Sequence, residues 1–478
     1  MNIKSVSITK NLVISIASGL IFILFCYGFF NYPGSKITYV AFSVVCNSLL
    51  FLSIGTKSLF FELFIAGFIW LGFWLKLTLK IAFFDGNLVD PVGMYDHSSS
   101  ALDKGLWVAS LGITAIIVAI YFRKIFFKGY APSSNKTSTS SQYLALYVRF
   151  RKLILFVFVL LITFVALTNF KFSIYQRGTI TGLVLPFGIN GIYKWLLIFG
   201  FSSFSAVLLN LELQLKKDLS FTVMLISMME SFISNVSMIS RGMVMNSASL
   251  IYGAYASNCI NKIRIKTIKY AFFIVVFMML FVASIQITNS LRDTLFYDSH
   301  QTTQTNVLKK NQVKFGMFTD RWVGIEGILA VTSYPNLGWE LFKKALNEKY
   351  DEHAISFYDK NLLKDSPYIN TDRQKHHFMS LPGYIAFLFY PGSYAFLFIS
   401  IFSVSMFSVL LEFVAYKSSG GNMIFAALIS QTVAYRLTNF GYVPSQSYLL
   451  FGSILLTCTL LYLSRMLLGA GHRNLSAK

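Results

Sequence analysis

Charge is scarce in this sequence of 478 residues: Asp, Glu, Lys and Arg together make 13% of it. Soluble domains carry roughly 25%, so a water-facing surface of ordinary size is excluded and a bilayer is the expected solvent. Cysteine is scarcer still. Cys26, Cys46, Cys259 and Cys458 all fall within or beside apolar runs, which leaves the polar stretch late in the chain with none and excludes a disulfide framework there. No G-x-x-x-x-G-K-[ST] phosphate loop and no dinucleotide fingerprint after a strand is present, so any reaction must use a substrate activated beforehand. Zinc spacing of His and Cys is also missing. Asp85, Asp90, Asp96 and Asp103 beside His97 are too loosely spaced to form a metal site, and neither a metal nor another cofactor is expected.

What the sequence has is apolar residues, 55% of the chain, with 17% aromatic. Runs near twenty residues recur from end to end and predict about twelve membrane helices, near 12-30, 37-55, 58-84, 105-122, 153-170, 190-213, 219-238, 243-261, 270-289, 381-411, 423-440 and 448-464. The fold class is therefore an all-α polytopic membrane protein. The first run follows Lys4 and Lys10 without a small-residue cleavage site and reads as a retained helix.

The formal charge of +21 sits in short connections between apolar runs, which is a topology signal, and nucleic acid is not expected as a partner. RKIFFKGYAPSSNKTSTSSQYLALYVRFRK and NKIRIKTIK are the most basic connections. Placing both inside puts the N-terminus, Lys57, Lys216, Lys217, Lys417 and the tail with Arg465, Arg473 and Lys478 inside too. Both termini are then cytoplasmic. Three regions follow: helices one to nine over 1-289, a large extracytoplasmic loop over 290-380, and helices ten to twelve with the tail over 381-478. In the loop about twelve basic and eleven acidic residues nearly cancel, as in a folded subdomain. Within RWVGIEGILAVTSYPNLGWELFKKALNEKYDEH the spacing predicts two short amphipathic helices lying over the membrane face.

Several residues stand out chemically. Arg177, Arg241 and Arg436 lie in short outer connections against the charge bias; a guanidinium fork suits phosphate oxygens, and the competing role is anchoring to lipid head groups. Glu230, inside the seventh span, is either a cavity residue or a structural hydrogen-bond partner of a neighbouring helix. If that helix continues, Arg241 eleven positions on shares its face. Glu62 and Glu412 are expected at the interface, and Lys76 and Lys80 are expected to snorkel. The loop offers Arg292, Arg321, Arg373, Glu326 and the pair His376-His377, whose imidazoles are suited to take a proton from a hydroxyl. Arg321 and Glu326 flank an apolar turn and are expected to form at most a local salt bridge. Trp322 and Trp339 are candidates for stacking on sugar rings or for packing.

The stretches LPFGINGIYKW, SRGMV, RDTLF, RWVGIEG and HHFMSLPGYIAF, in this order on this topology, resemble bacterial O-antigen polymerases of the Wzy type. Family members carry an Arg followed eleven positions later by Gly, as Arg177 and Gly188 do; the residues eleven after Arg292, Arg321 and Arg373 are Thr303, Thr332 and Tyr384, a departure from the pattern. The resemblance implies a metal-independent glycosyltransferase of GT-C-like architecture in the bacterial inner membrane. Its substrate would be an undecaprenyl-pyrophosphate-linked oligosaccharide, and its partners membrane lipid, a chain-length regulator and a flippase of the same pathway. Arg241 and Arg321 would act on the pyrophosphate, His377 or His376 as base, and Arg177, Arg373, Arg292, Arg436, Glu230, Glu326 and Trp322 in substrate binding. A ligase moving finished polysaccharide, or a flippase for the same lipid, would share most of these features; a scaffold protein of an envelope assembly would need none of the site residues.

Overall fold

The computed structural model describes residues 3–54, 59–127, 141–240, 242, 244–260, 267–296, 322–363, 366, 372, 374, 376–441 and 444–475. Among them secondary structure is helical apart from one isolated bridge between Thr179 and His376. The long helices are α1 (Ile3–Asn31), α2 (Lys36–Ser53), α3 (Phe60–Phe83), α4 (Ser99–Phe126), α5 (Ser141–Phe172), α6 (Pro186–Lys216), α7 (Phe221–Ser237), α8 (Met245–Ile260) and α9 (Thr267–Phe296). The short α10 (Ile325–Thr332), α11 (Trp339–Leu346) and α12 (Tyr384–Leu388) precede the long α13 (Tyr394–Ser418), α14 (Met423–Thr438) and α15 (Pro444–Leu475). Eight helices among the described residues are long and apolar enough to cross a membrane, and Ser15–Asn31, Phe221–Ser237 and Met423–Thr438 are shorter apolar helices. The architecture is that of a polytopic helical membrane protein.

At the centre stands α14, which is apolar on nearly all sides and buried along most of its length, as expected of a helix enclosed by others. It packs on α3, α8 and α13. Small residues allow close approach: a Cβ on Gly253 of α8 would meet the Ile424 Cα at 2.8 Å. At the end opposite the late loop, buried charges fasten the helices together. Glu412 of α13 accepts the Phe60 and Phe61 amides at 3.0 and 2.8 Å, placing a carboxylate on the positive N-terminus of α3. Glu62 takes two hydrogen bonds from Arg123, from Nε at 2.8 Å and Nη2 at 2.7 Å. Glu62 and Glu412, expected at the interface from their places near span ends, are buried between helices there, each with a partner on another helix that sequence spacing does not reveal.

The expected single span over 381-411 is two helices. A turn through Pro391 and Gly392, with φ +73° at the glycine, separates α12 from α13. The late segment also differs from the expected pair of surface helices. α11 is amphipathic, with Ala345 buried and Trp339 59% exposed. α10, by contrast, is buried throughout, seated on α4 and α12, where Gly105 leaves room for the Leu329 side chain. Its near-continuous apolar sequence IEGILAVT fits a core position, and the isolated Glu326 concealed this.

Candidate functional site

The loop after α5 is held by amides. Asn169 Nδ2 donates to the carbonyls of Tyr175 and Ser237 at 3.0 Å, and its Oδ1 accepts the Tyr175 amide at 2.8 Å. The chain end of α7 is thereby tied to the start of the 173–185 loop. The Arg177 amide then donates to Met238 O at 2.9 Å, and Arg292 Nη2 to the next carbonyl, Ile239 O, at 3.1 Å. Thr288 adds a bond to Ser240 O at 3.2 Å.

Around this seam four cations gather. The Arg177 guanidinium lies beside the phenols of Tyr175 and Tyr435. Lys194 lies over the Tyr175 ring at 5.3 Å and donates to Gln446 at 2.6 Å. Arg436 donates from Nε to Ser447 at 3.2 Å, while its buried Nη2 has no hydrogen-bond partner among the described residues. Arg292 completes the group through the Ile239 carbonyl. Burial alone would push the Tyr175 phenol up, yet the charges of Lys194, Arg177 and Arg436 more than offset it, and its pKa falls below the ordinary value. A phenol made more acidic despite burial is what three neighbouring cations produce.

The histidine pair lies beside this cluster. The His377 amide donates to Gly178 O at 3.1 Å and His376 bridges Thr179, so both follow the residues directly after Arg177. Glu352 locks the same strand of chain: its carboxylate accepts the Thr181 amide at 2.9 Å, the Thr181 hydroxyl at 2.8 Å and the Tyr350 hydroxyl at 2.9 Å. Burial opposes ionisation of Glu352, but these bonds prevail and hold its pKa below the usual carboxylate range. Burial pushes the His377 imidazole down, only partly countered by its hydrogen bond to the Glu352 backbone and by the Glu352 charge. His377 is thus neutral at neutral pH, in the state that accepts a proton.

The other sequence candidates divide into two groups. Arg241, Arg321 and Arg373 lie outside the described residues. Ser240 and Gly242, which flank Arg241, are held at the cationic seam, and a Cβ on Gly242 would meet the Tyr435 hydroxyl at 2.0 Å. Glu230, Glu326 and Trp322 are described and lie elsewhere. Glu230 accepts from Ser202 at 2.9 Å and Ser234 at 3.0 Å, which is the interhelical structural role. Since α7 ends at Ser237, no continuous helix joins it to Arg241. Glu326 meets Lys76 of α3 at 2.6 Å, and Lys76 also reaches Asp90 and the Trp322 carbonyl, each at 3.1 Å. Lys76 therefore does not snorkel; it is 0% exposed. The Trp322 ring stacks on Phe68 at 5.8 Å and is a packing residue.

Sequence reasoning missed Lys194, Tyr175, Tyr435, Glu352 and the pairing of Lys76 with Asp90 and Glu326. Tyr435 adjoins Arg436 and Lys194 lies inside LPFGINGIYKW, but neither carries a spacing signal of its own. No family model, no curated protein and no solved structure matches this chain.

Proposed function

We propose that the chain is a membrane glycosyltransferase that polymerises undecaprenyl-pyrophosphate-linked oligosaccharide repeat units into O-antigen or a related surface polysaccharide on the outer face of the bacterial cytoplasmic membrane. The observation that supports this reading is the convergence of Arg177, Arg292, Arg436 and Lys194 with the His376-His377 pair at one end of the helix bundle. Clustered guanidinium groups suit a pyrophosphate, which carries several negative charges and can fill the donor left over on Arg436.

In the reaction an acceptor sugar hydroxyl attacks the anomeric carbon of the growing chain. The bond from that carbon to pyrophosphate oxygen breaks, and the electron pair leaves with the lipid pyrophosphate. The hydroxyl proton passes to the neutral imidazole of His377. The cations stabilise the charge that develops on the departing oxygen, so no strong general acid is needed. Turnover requires the proton to return from His377 to solvent before the next unit binds. This assignment places the loop-bearing end outside and both termini in the cytoplasm, with α1 to α9 and α13 to α15 as twelve spans.

The test is direct. Purified protein given lipid-linked repeat units alone forms a ladder of products; a competent substrate that yields no ladder rejects polymerisation. Transfer of preformed polysaccharide to a lipid core without a ladder would indicate a ligase. For a flippase, Arg436→Ala cells would retain the lipid-linked unit inside, whereas the proposed enzyme strands it outside.

A further inference from the structure

Close to the histidine pair lies a polar cavity of about 150 Å³, lined by Asp90, Glu326, Tyr358 and Ser380 together with apolar residues that include Val323 and Met379. Carboxylates dominate its polar lining. Lys76 donates to Asp90 and the Trp322 carbonyl, each at 3.1 Å, and pairs with Glu326 at 2.6 Å. The main acceptor at the cavity is Glu326, which is 3% exposed and, outside its pairing with Lys76, has no hydrogen-bond partner on either carboxylate oxygen among the described residues. The buried Ser380 hydroxyl is also without one, although the Ser380 amide is fixed by Asp359 at 3.0 Å. Two carboxylates against one ammonium leave the group with net negative charge.

A net negative cavity with unsatisfied carboxylate oxygens and an aromatic wall favours hydroxyl or ammonium groups on an apolar ring and repels carboxylates. Its volume equals the liquid share of about five waters, comparable to one pyranose ring. Ser380 is three residues from His377, at most about 11 Å along the chain, so a sugar seated here is within reach of the cationic cluster.

We propose that this cavity is a saccharide subsite that takes a neutral or amino sugar residue of the lipid-linked substrate and excludes uronic acids. The proposal rests on the reading of the neighbouring cations as the pyrophosphate site. Glu326 binds the sugar hydroxyls, and Lys76 acts as a positioning residue that keeps Glu326 ionised and aimed into the cavity. The π-helical stretch Trp70–Leu75 directly before Lys76 is the local irregularity that brings the ammonium to this point; such bulges frequently accompany functional positions.

The experiment measures binding to the protein in lipid nanodiscs of three probes: undecaprenyl pyrophosphate without sugar, the same lipid bearing one neutral hexose, and the same lipid bearing one hexuronic acid. The hexose is expected to raise affinity about tenfold over the bare lipid, the scale of one hydrogen bond to a charged group, and the hexuronic acid is expected to give no gain. Glu326→Gln and Ser380→Leu abolish the hexose gain and leave bare-lipid affinity unchanged. Ser380→Leu keeps the Lys76 ion pairs, so it decides the matter where Glu326→Gln lowers the unfolding midpoint. An equal gain from both sugars, no gain from either, or a hexose gain that survives Ser380→Leu overturns the proposal. Failure of the bare lipid to bind the unaltered protein rejects the pyrophosphate reading instead, and the difference between the two sugars still decides the subsite.

Discussion

Replacing Lys76 by methionine keeps the apolar stem and removes the ammonium. Glu326 is then left in the protein interior with no counterion, whereas Asp90, whose side chain is 49% exposed, rehydrates. The loss is therefore dominated by Glu326. Breaking a buried pair from one side costs about 3–5 kcal/mol, and the lower figure is expected here because Glu326 can escape by taking up a proton. Its folded-state pKa in the variant lies above the unfolded value of about 4.3, so the folded state binds more protons and stability falls as pH rises above that value. The penalty is full near pH 7 and shrinks on acidification. Adding Glu326→Leu removes the stranded charge, and the double variant regains most of the loss. Reversible unfolding of the purified protein in mixed micelles, measured at pH 5 and pH 7.5, reads both effects. A loss below about 1 kcal/mol for Lys76→Met, the scale of an exposed pair, or a double variant no more stable than the single one, refutes the reasoning.

Arg436→Lys and Arg177→Lys retain charge but lose the guanidinium fork, and each is expected to slow polymerisation by about 10²-fold or more, as removal of a donor to developing charge does; rates within twofold of the unaltered protein count against the phosphate role. With His377 shifted down by burial, the acid limb of the kcat/KM profile is expected below pH 6.5. His377→Gln should lose about 10²–10⁴-fold and flatten that limb; an unchanged limb in the variant assigns the base elsewhere. Gly242→Ala drives a methyl group into the Tyr435 hydroxyl, so it is expected to cut activity through displaced Arg177 while the unfolding midpoint drops only slightly. Normal turnover in Gly242→Ala would dissociate Tyr435 from the site.

The helices were readable because lipid imposes a simple rule, an apolar run of sufficient length, on every spanning segment. α4 and α9 illustrate this, since their apolar windows contain almost nothing that breaks the pattern. The turn at Pro391 and Gly392 carried a standard punctuation signal, but the apolar residues on either side hid it. The cationic seam was half readable: Arg177, Arg292 and Arg436 stand out singly, yet only folding brings Met238 and Ile239 between them. Buried charge was the least readable feature. Lys76 with Glu326, Arg123 with Glu62, and Glu412 with the start of α3 each join distant parts of the chain, and a lone sequence shows a charge in an apolar run without showing what neutralises it.

The pairing of Lys76 with Glu326 also constrains how the protein is made. Residue 326 follows residue 76 by roughly 250 positions, which at a synthesis rate of about 5–20 residues per second separates their emergence by about 12–50 s. During that interval α3 is already committed to the bilayer with Asp90 as the nearby carboxylate of the pair. The half-hydrated Asp90 serves as a holding partner, and the final counterion arrives only when 322–333 threads back against α3 and α4. Maturation of the bundle is consequently a late event, completed by a segment from the last third of the chain, and truncations before residue 322 leave Lys76 without its buried partner Glu326 and with the half-exposed Asp90 alone.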